Sequence, residues 1–178
     1  MNYIRLDRES VADAPGISVT LFVSGCKANK VGSMNCPGCH NPEAQRFASG
    51  KSFGKEALDE ITSALSKSWI SNFVLCGGEP LDQDLSEIES LVKKVRSSFP
   101  SKKIWLYTGY EWDKIKEYRL LSLIDVAVVG PFILAQRDIS NANPWRGSRN
   151  QRVLDVKKSL EADKPIPLEG ILNNEIPE

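Results

Sequence analysis

Three cysteines, Cys26, Cys36 and Cys39, stand in the glycine-rich run SGCKANKVGSMNCPGCHN, and the fourth, Cys76, directly precedes Gly77-Gly78-Glu79-Pro80. Thiols at this density can form disulfides, close a zinc site, make a redox pair or hold an iron-sulfur cluster. Four thiolates from Cys26, Cys36, Cys39 and Cys76 would complete a tetrahedral zinc site. Structural zinc sites usually pair two C-x2-C knuckles, however, and only one is present, Cys36 with Cys39. A thioredoxin-like pair would leave Cys26 and the GGEP stretch without a role. A 4Fe-4S cluster held by three thiolates leaves one iron with a free coordination position, which can bind a substrate. On cysteine count alone these chemistries stay open.

The rest of the chain narrows the setting. At 178 residues the chain fits one domain over 1–178 and can bury roughly 70% of its unfolded surface, so neither metal nor disulfide is needed for folding. Lysine plus arginine equals aspartate plus glutamate at 23 each, which gives no electrostatic footprint for nucleic acid or an anionic membrane. The opening MNYIRLDRESVADAPG lacks the apolar core of a secretory signal. The apolar stretch Leu123 to Ala135 carries Asp125 and Pro131 and falls short of the ~20 residues a bilayer crossing requires. A cytoplasmic location is expected, where clustered thiols more often serve metals or redox chemistry than structural disulfides.

Several elements must position the thiols. Ile17 to Val23 is β-branched and aromatic, is bounded by Pro15-Gly16 and Gly25, and reads as a buried strand ending just before Cys26. Leu58, Ile61 and Leu65 recur at helical spacing within Lys55 to Lys67, and Asn72 to Leu75 is a second short strand running into Cys76 and GGEP. Leu85, Ile88, Leu91, Val92 and Val95 mark a longer helix, with Asp84 and Glu87 spaced as a capping box. Lys103 to Thr108 reads as a strand, Trp112 to Tyr118 as a helix, and Asp125 to Gly130 as a further strand. Strands alternating with helices predict an α/β fold of parallel strands. The chain is too short for a closed eight-fold barrel of ~250 residues, so the expectation is an open, partial β/α barrel. Loops after the strands' carboxyl ends then gather on one face, bringing together the cysteine loop, GGEP and Thr108-Gly109. The proline-rich end, from about residue 160, reads as an irregular tail.

A three-cysteine loop after the first of these strands and GGEP after the second resemble the radical S-adenosylmethionine enzymes. The ordered set VTLFVSGC, CPGCHN, GGEP, WLYTGY, DVAVVGPF and WRGSRNQR is further similar to the activating enzymes of anaerobic ribonucleotide reductase, from about Met1 to Asp155. One departure stands out. The family usually has three residues between its first two cysteines, whereas nine separate Cys26 from Cys36, with Lys30 where the second ligand would be expected. Enlarging a loop threefold costs only about 1 kcal/mol of closure entropy, so the longer spacer does not argue against ligation. It leaves open whether Lys27, Lys30 or Met34 makes an added contact.

The resemblance implies that Cys26, Cys36 and Cys39 hold a 4Fe-4S cluster. It also implies that Gly38, Cys39, His40, Gly77, Gly78, Glu79 and Thr108 lie against S-adenosylmethionine, with no catalytic side chain beyond cluster and cofactor. Cleavage of that cofactor would yield a radical that takes a hydrogen atom from a glycine of the reductase, the protein partner, with a reduced flavodoxin-type electron donor. Gly77 and Gly78 would let backbone carbonyls approach a ligand's ammonium group, and Glu79 would add a charge-assisted hydrogen bond unless it simply faces water. His40, the only histidine, would line the adenosyl pocket. Cys76 is expected to pack as a small buried thiol, the competing idea being a fourth cluster ligand. Trp145 is expected to pack, Gly109 with Thr108 to touch the cofactor or else make a structural turn, and Arg146, Asn150, Gln151 and Arg152 to form a polar centre whose guanidinium groups pair with a carboxylate or with the reductase. Alternative readings are an activase of another glycyl-radical enzyme such as pyruvate formate-lyase, a quinazoline-forming or other small-molecule radical enzyme, and a non-catalytic zinc-binding adaptor.

Overall fold

The computed structural model describes residues 1–27, 36–137 and 145–170. Its strands are β1 (Asn2–Ser10), β2 (Ile17–Ser24), β3 (Lys51–Ser52), β4 (Ile70–Gly77), β5 (Lys103–Tyr107), β6 (Val126–Val129) and β7 (Arg152–Asp155). The helices are α1 (Lys55–Leu65), α2 (Leu85–Ser98), α3 (Trp112–Ile115) and α4 (Val156–Glu161). All seven strands join one open sheet in the order β3-β1-β2-β4-β5-β6-β7.

The expected all-parallel sheet is corrected to a mixed one. Only the central strands β2, β4, β5 and β6 run parallel, whereas β1 pairs antiparallel with β2 and β3, and β7 antiparallel with β6. The connections supply the reason. Parallel neighbours need a crossover of a dozen or more residues, which α1, α2 and α3 provide within the centre. The link from β1 to β2, residues 11–16, is too short for one, so the chain must turn straight back.

Side-chain alternation along the central strands divides the core in two. Leu21, Phe73, Leu75, Ile104, Leu106 and Ala127 point to the face covered by α1, α2 and α3, where Ile61, Leu65, Ile88, Val92 and Trp112 complete the larger apolar cluster. Phe22, Val74, Cys76, Trp105, Val126, Val128 and Val153 point the other way, into a smaller cluster closed by Ala14 and edged by Trp145 and Leu168. Strands buried on both faces lack the polar alternation of a half-exposed strand, which is why they read as near-continuous apolar runs.

At the start of α2, Asp84 caps the helix by accepting the Ser86 N–H at 2.9 Å. Glu87 does not close the capping box, because its carboxylate pairs with the amino terminus of Met1. The end expected to be irregular is pinned in part: α4 extends to Glu161, and residues 166–168 lie along β7 through Asp155 N–H to Ile166 O (3.0 Å) and Leu168 N–H to Val153 O (2.9 Å). Pro167 sits in this outermost pairing, where a residue without an N–H is tolerated. Among the described residues, no helix is long and apolar enough to cross a membrane.

Candidate functional site

The carboxyl ends of β2, β4, β5 and β6 lie at the same edge of the sheet, since their register is parallel. Backbone hydrogen bonds then tie the following loops to one another. Gly78 N–H donates to Val23 O (2.8 Å), Glu79 N–H to Gly25 O (2.8 Å) and Thr108 N–H to Val128 O (2.9 Å). A cavity of about 370 Å³ opens between these loops, and Cys26, Cys36, Cys39 and Cys76 all line it. His40, Gly77, Gly78, Glu79, Thr108 and Gly109 share its walls, so the loops expected to converge do so. Gly38 does not line the cavity; it turns the chain between two residues that do.

That turn follows from local chemistry. Cys39 N–H donates to Cys36 O at 3.0 Å, and Gly38 takes a φ of 74°, in the left-handed region where a Cβ is unfavourable. The Leu134 side chain also lies close, its methyl groups 3.1 Å from where a Cβ would be. Burial pushes the Cys36 thiol pKa up, while a hydrogen bond from the Phe132 backbone pulls it down. The Phe132 ring meets His40 with centroids 4.7 Å apart, so the segment after β6 holds both the turn and the histidine. Neither Phe132 nor Leu134 was singled out from the sequence, although both follow the Gly-Pro that ends a strand pointing at the site.

Glu79 does not face water. It is 1% exposed, and its carboxylate accepts from Leu81 N–H (3.0 Å) and Gly109 N–H (2.8 Å), joining the loop after β4 to the loop after β5. Burial raises its pKa from 4.5 to about 7, against the lowering effect of those N–H groups and of Thr108. The folded chain therefore binds this proton more tightly than the unfolded chain does. Stability should fall as pH rises from 4.5 towards 7, by up to about 3 kcal/mol, and level off above that window. Urea unfolding of the metal-free protein across this range is expected to show that slope, and Glu79→Gln to flatten it.

The two glycines before Glu79 serve chain packing first. A Cβ on Gly77, whose φ is 110°, would lie 2.6 Å from Val23 N, and one on Gly78 would lie 2.4 Å from Gly25 O and 2.5 Å from Ala44 O. The close approach expected for a ligand is thus already made by protein backbone.

Cys76 is buried at 8% exposure within the smaller apolar cluster, and desolvation holds its thiol pKa well above the ordinary value. It packs as expected, with one edge on the cavity. Cys76→Ala should cost about 1 kcal/mol of stability and leave the iron content of reconstituted protein unchanged, which iron analysis would check. Trp145 packs too, edge-on to Trp105 at 6.3 Å.

Gln151 and Asn150 fold their own motif rather than point outward. Gln151 Oε1 accepts from Gly147 N–H (2.9 Å) and Ser148 N–H (3.1 Å), and its Nε2 donates to Gly130 O (2.9 Å). Asn150 Nδ2 donates to Pro131 O at 2.8 Å. Arg146 is buried on the cavity wall with Nη1 3.4 Å from Gln151 O, and Arg152 belongs to β7. Lys27 pairs with Asp82 (Nζ to Oδ1, 3.4 Å), whereas Lys30 and Met34 lie outside the described residues.

None of the four cysteines is in a disulfide. Among the described residues, no three His, Cys, Asp or Glu side chains gather as a group that could hold a single metal ion. Three soft sulfur donors lining one cavity are a donor set that iron-sulfur clusters use. A family model described as a 4Fe-4S single cluster domain matches residues 12–154. The chain is also 38% identical over 154 residues to the anaerobic ribonucleoside-triphosphate reductase-activating protein of Enterobacteria phage T4, spanning 86% of this chain and 93% of that one. This chain belongs to the family of those activating proteins. Further members are the proteins of the same name from Escherichia coli K12, 37% identical over 158 residues (86% of this chain, 97% of that one), and Vibrio cholerae, 37% identical over 156 residues (85% and 96%). No solved structure matches the chain.

As a member of this family, the chain carries its thiols on two separate supports. Cys26 lies two residues past the end of β2, while Cys36 and Cys39 share a turn braced by the segment after β6. Asp82, Gln83 and Tyr110, which were not singled out from the sequence, brace the first support. The signal for Asp82 and Gln83 was the polar run Asp82-Gln83-Asp84 close behind GGEP, whereas Tyr110 lies in the loop after β5.

Proposed function

We propose that this protein is a cytoplasmic radical S-adenosylmethionine activase for an anaerobic ribonucleotide reductase. In this reading its open sheet is a partial β/α barrel, and Cys26, Cys36 and Cys39 hold a 4Fe-4S cluster at the carboxyl ends of the parallel strands. The cluster, reduced by a flavodoxin-type donor, would supply the electron that cleaves S-adenosylmethionine to methionine and a 5'-deoxyadenosyl radical, which takes a hydrogen atom from a reductase glycine.

The chain's own residues bind and orient. Gly38 lets Cys36 and Cys39 face the same cavity, and the His40 ring, steadied by Phe132, offers a flat surface for the adenine. Glu79 and Thr108 lock the loop carrying Gly77 and Gly78 to the next strand end, fixing the carbonyls a cofactor ammonium would meet. Phe22 and Cys76, from the smaller apolar cluster, give the cavity an apolar part of its lining. The observation that carries this reading is that the three thiols of the loop and the GGEP turn share the walls of one cavity. Support comes also from relatives named as reductase-activating proteins along nearly their whole length.

The test is anaerobic reconstitution with iron and sulfide, followed by reduction with S-adenosylmethionine and the candidate reductase. A brown protein and a glycyl radical signal by paramagnetic resonance are expected. A colourless zinc protein would sink the reading, and cofactor cleavage without a radical on the reductase would move the assignment to another glycyl-radical partner.

A further inference from the structure

The first thiol is held in part by groups outside the cavity, Asp82, Gln83 and Ala44. Every described backbone hydrogen bond from Gly25 to Lys27 runs to a distant part of the chain. Gly25 N–H donates to Ala44 O (2.7 Å) and Cys26 N–H to Gln45 O (3.2 Å). Gly25 O accepts from Glu79 N–H (2.8 Å) and from Gln83 Nε2 (3.1 Å). Lys27 N–H donates to Asp82 Oδ2 at 2.6 Å. The Asp82 side chain is 1% exposed, and its other oxygen accepts from the Tyr110 hydroxyl at 2.7 Å. A buried carboxylate is costly unless its lone pairs are used; here a backbone N–H, a phenol and the Lys27 ammonium share them.

The enlarged spacer gives this clamp its purpose. With nine residues between Cys26 and Cys36, the second thiol restrains the first only weakly, because loop-closure coupling fades as a loop lengthens. Restraint on Cys26 then comes from Ala44 and Gln45 and from the segment after β4. We propose that Asp82 is a positioning residue: through the Lys27 N–H, and steered by Tyr110, it presets Cys26 towards the cavity before any metal arrives. Its partner Gln83 does the same one residue earlier, bridging Gly25 O and Glu79 O (3.0 Å). Presetting a ligand removes part of the ordering cost that metal binding would otherwise carry.

This inference rests on the proposed function for what Cys26 holds, but its test does not. In reduced, metal-free protein, the rate of iodoacetamide labelling at each cysteine would be read by peptide mass spectrometry. Asp82→Ala is expected to raise labelling at Cys26 by about threefold or more, because thiol reactivity tracks exposure, while Cys36, Cys39 and Cys76 keep their wild-type rates. Asp82→Asn retains an acceptor for the Lys27 N–H and should return Cys26 to within about twofold of wild type. Iron uptake on reconstitution should follow the same order, wild type and Asn above Ala. An unchanged Cys26 rate in Asp82→Ala, a rise at all four cysteines together, or failure of Asn to restore the rate would each overturn the proposal. Where Asp82→Ala does not fold, Tyr110→Phe decides: faster labelling confined to Cys26 supports the clamp, and an unchanged rate refutes it. Wild-type protein that refuses iron would count against the proposed function and leave the labelling result standing.

Discussion

On the proposed function, alanine at Cys26, Cys36 or Cys39 should strip the reconstituted protein of its iron and abolish cofactor cleavage, the largest effect expected of any single substitution. Loss of a residue that merely supports a metal ligand typically lowers affinity by about 10–100-fold, so loss of one of three ligands must exceed about 100-fold. The three positions should fail alike despite their different supports, since each thiolate would anchor a different iron of the cluster. Iron and sulfide analysis on anaerobically reconstituted variants reads this directly. Retention of a full cluster in any of the three would remove that cysteine from the ligand set. Cys76→Ala is the internal control, because its side chain belongs to the smaller apolar cluster.

Gly78→Ala should unfold the site without touching a thiol. Its methyl group would meet Gly25 O at 2.4 Å and Ala44 O at 2.5 Å, two backbone atoms that cannot swing aside as a side-chain tip can. Relieving the overlap means parting the loop after β4 from the loop carrying Cys26, and the Glu79 N–H to Gly25 O hydrogen bond would be lost with it. A cost of at least about 3 kcal/mol follows, since forced overpacking typically costs 1–3 kcal/mol before any hydrogen bond is broken. In a domain of this size that lowers Tm by about 10 °C. Gly54→Ala is the matched control, having nothing within 4 Å of its Cβ position, and as a cap position should cost under about 1 kcal/mol. Equal thermal shifts in the two variants would mean the backbone contact at Gly78 is not tight.

The central strands were legible because apolar periodicity survives burial on both faces: Ile17–Ser24, Ile70–Gly77, Lys103–Tyr107 and Val126–Val129 match the runs read from the sequence to within about two residues. β1 was not legible, since Arg5, Asp7, Arg8 and Glu9 give it the look of a solvated segment. Such charges are what protects an outer strand from pairing with another chain. β7 was hidden for a different reason: Arg152–Asp155 is short and is drawn into the sheet by the tertiary contacts of its neighbours.

Within the site, the cysteines and GGEP announced themselves by residue type and spacing. What they did not announce was how the glycines and Glu79 work, because Gly78 against Gly25 O and Glu79 against Gly109 N–H are contacts across a fold, invisible to local pattern. The same holds for Gln151, whose residue type suggested ligand binding and whose amide is spent on Gly147, Ser148 and Gly130. Polar side chains at loop junctions are ambiguous in sequence for this reason: satisfying backbone groups and recognising ligands draw on the same donors and acceptors.

The parallel pairing of β2 with β4 brings Val23 opposite Gly77 across more than fifty residues of chain. Contacts of that sequence separation form late, after the intervening helix has closed the crossover. Until that pairing forms, the loop carrying Cys26 lacks the Gly78 N–H to Val23 O and Glu79 N–H to Gly25 O bonds that tie it to the next strand end. On the proposed ligation, a cluster assembled on the finished scaffold would meet thiols already held in place, which one assembled on the unfolded chain would not.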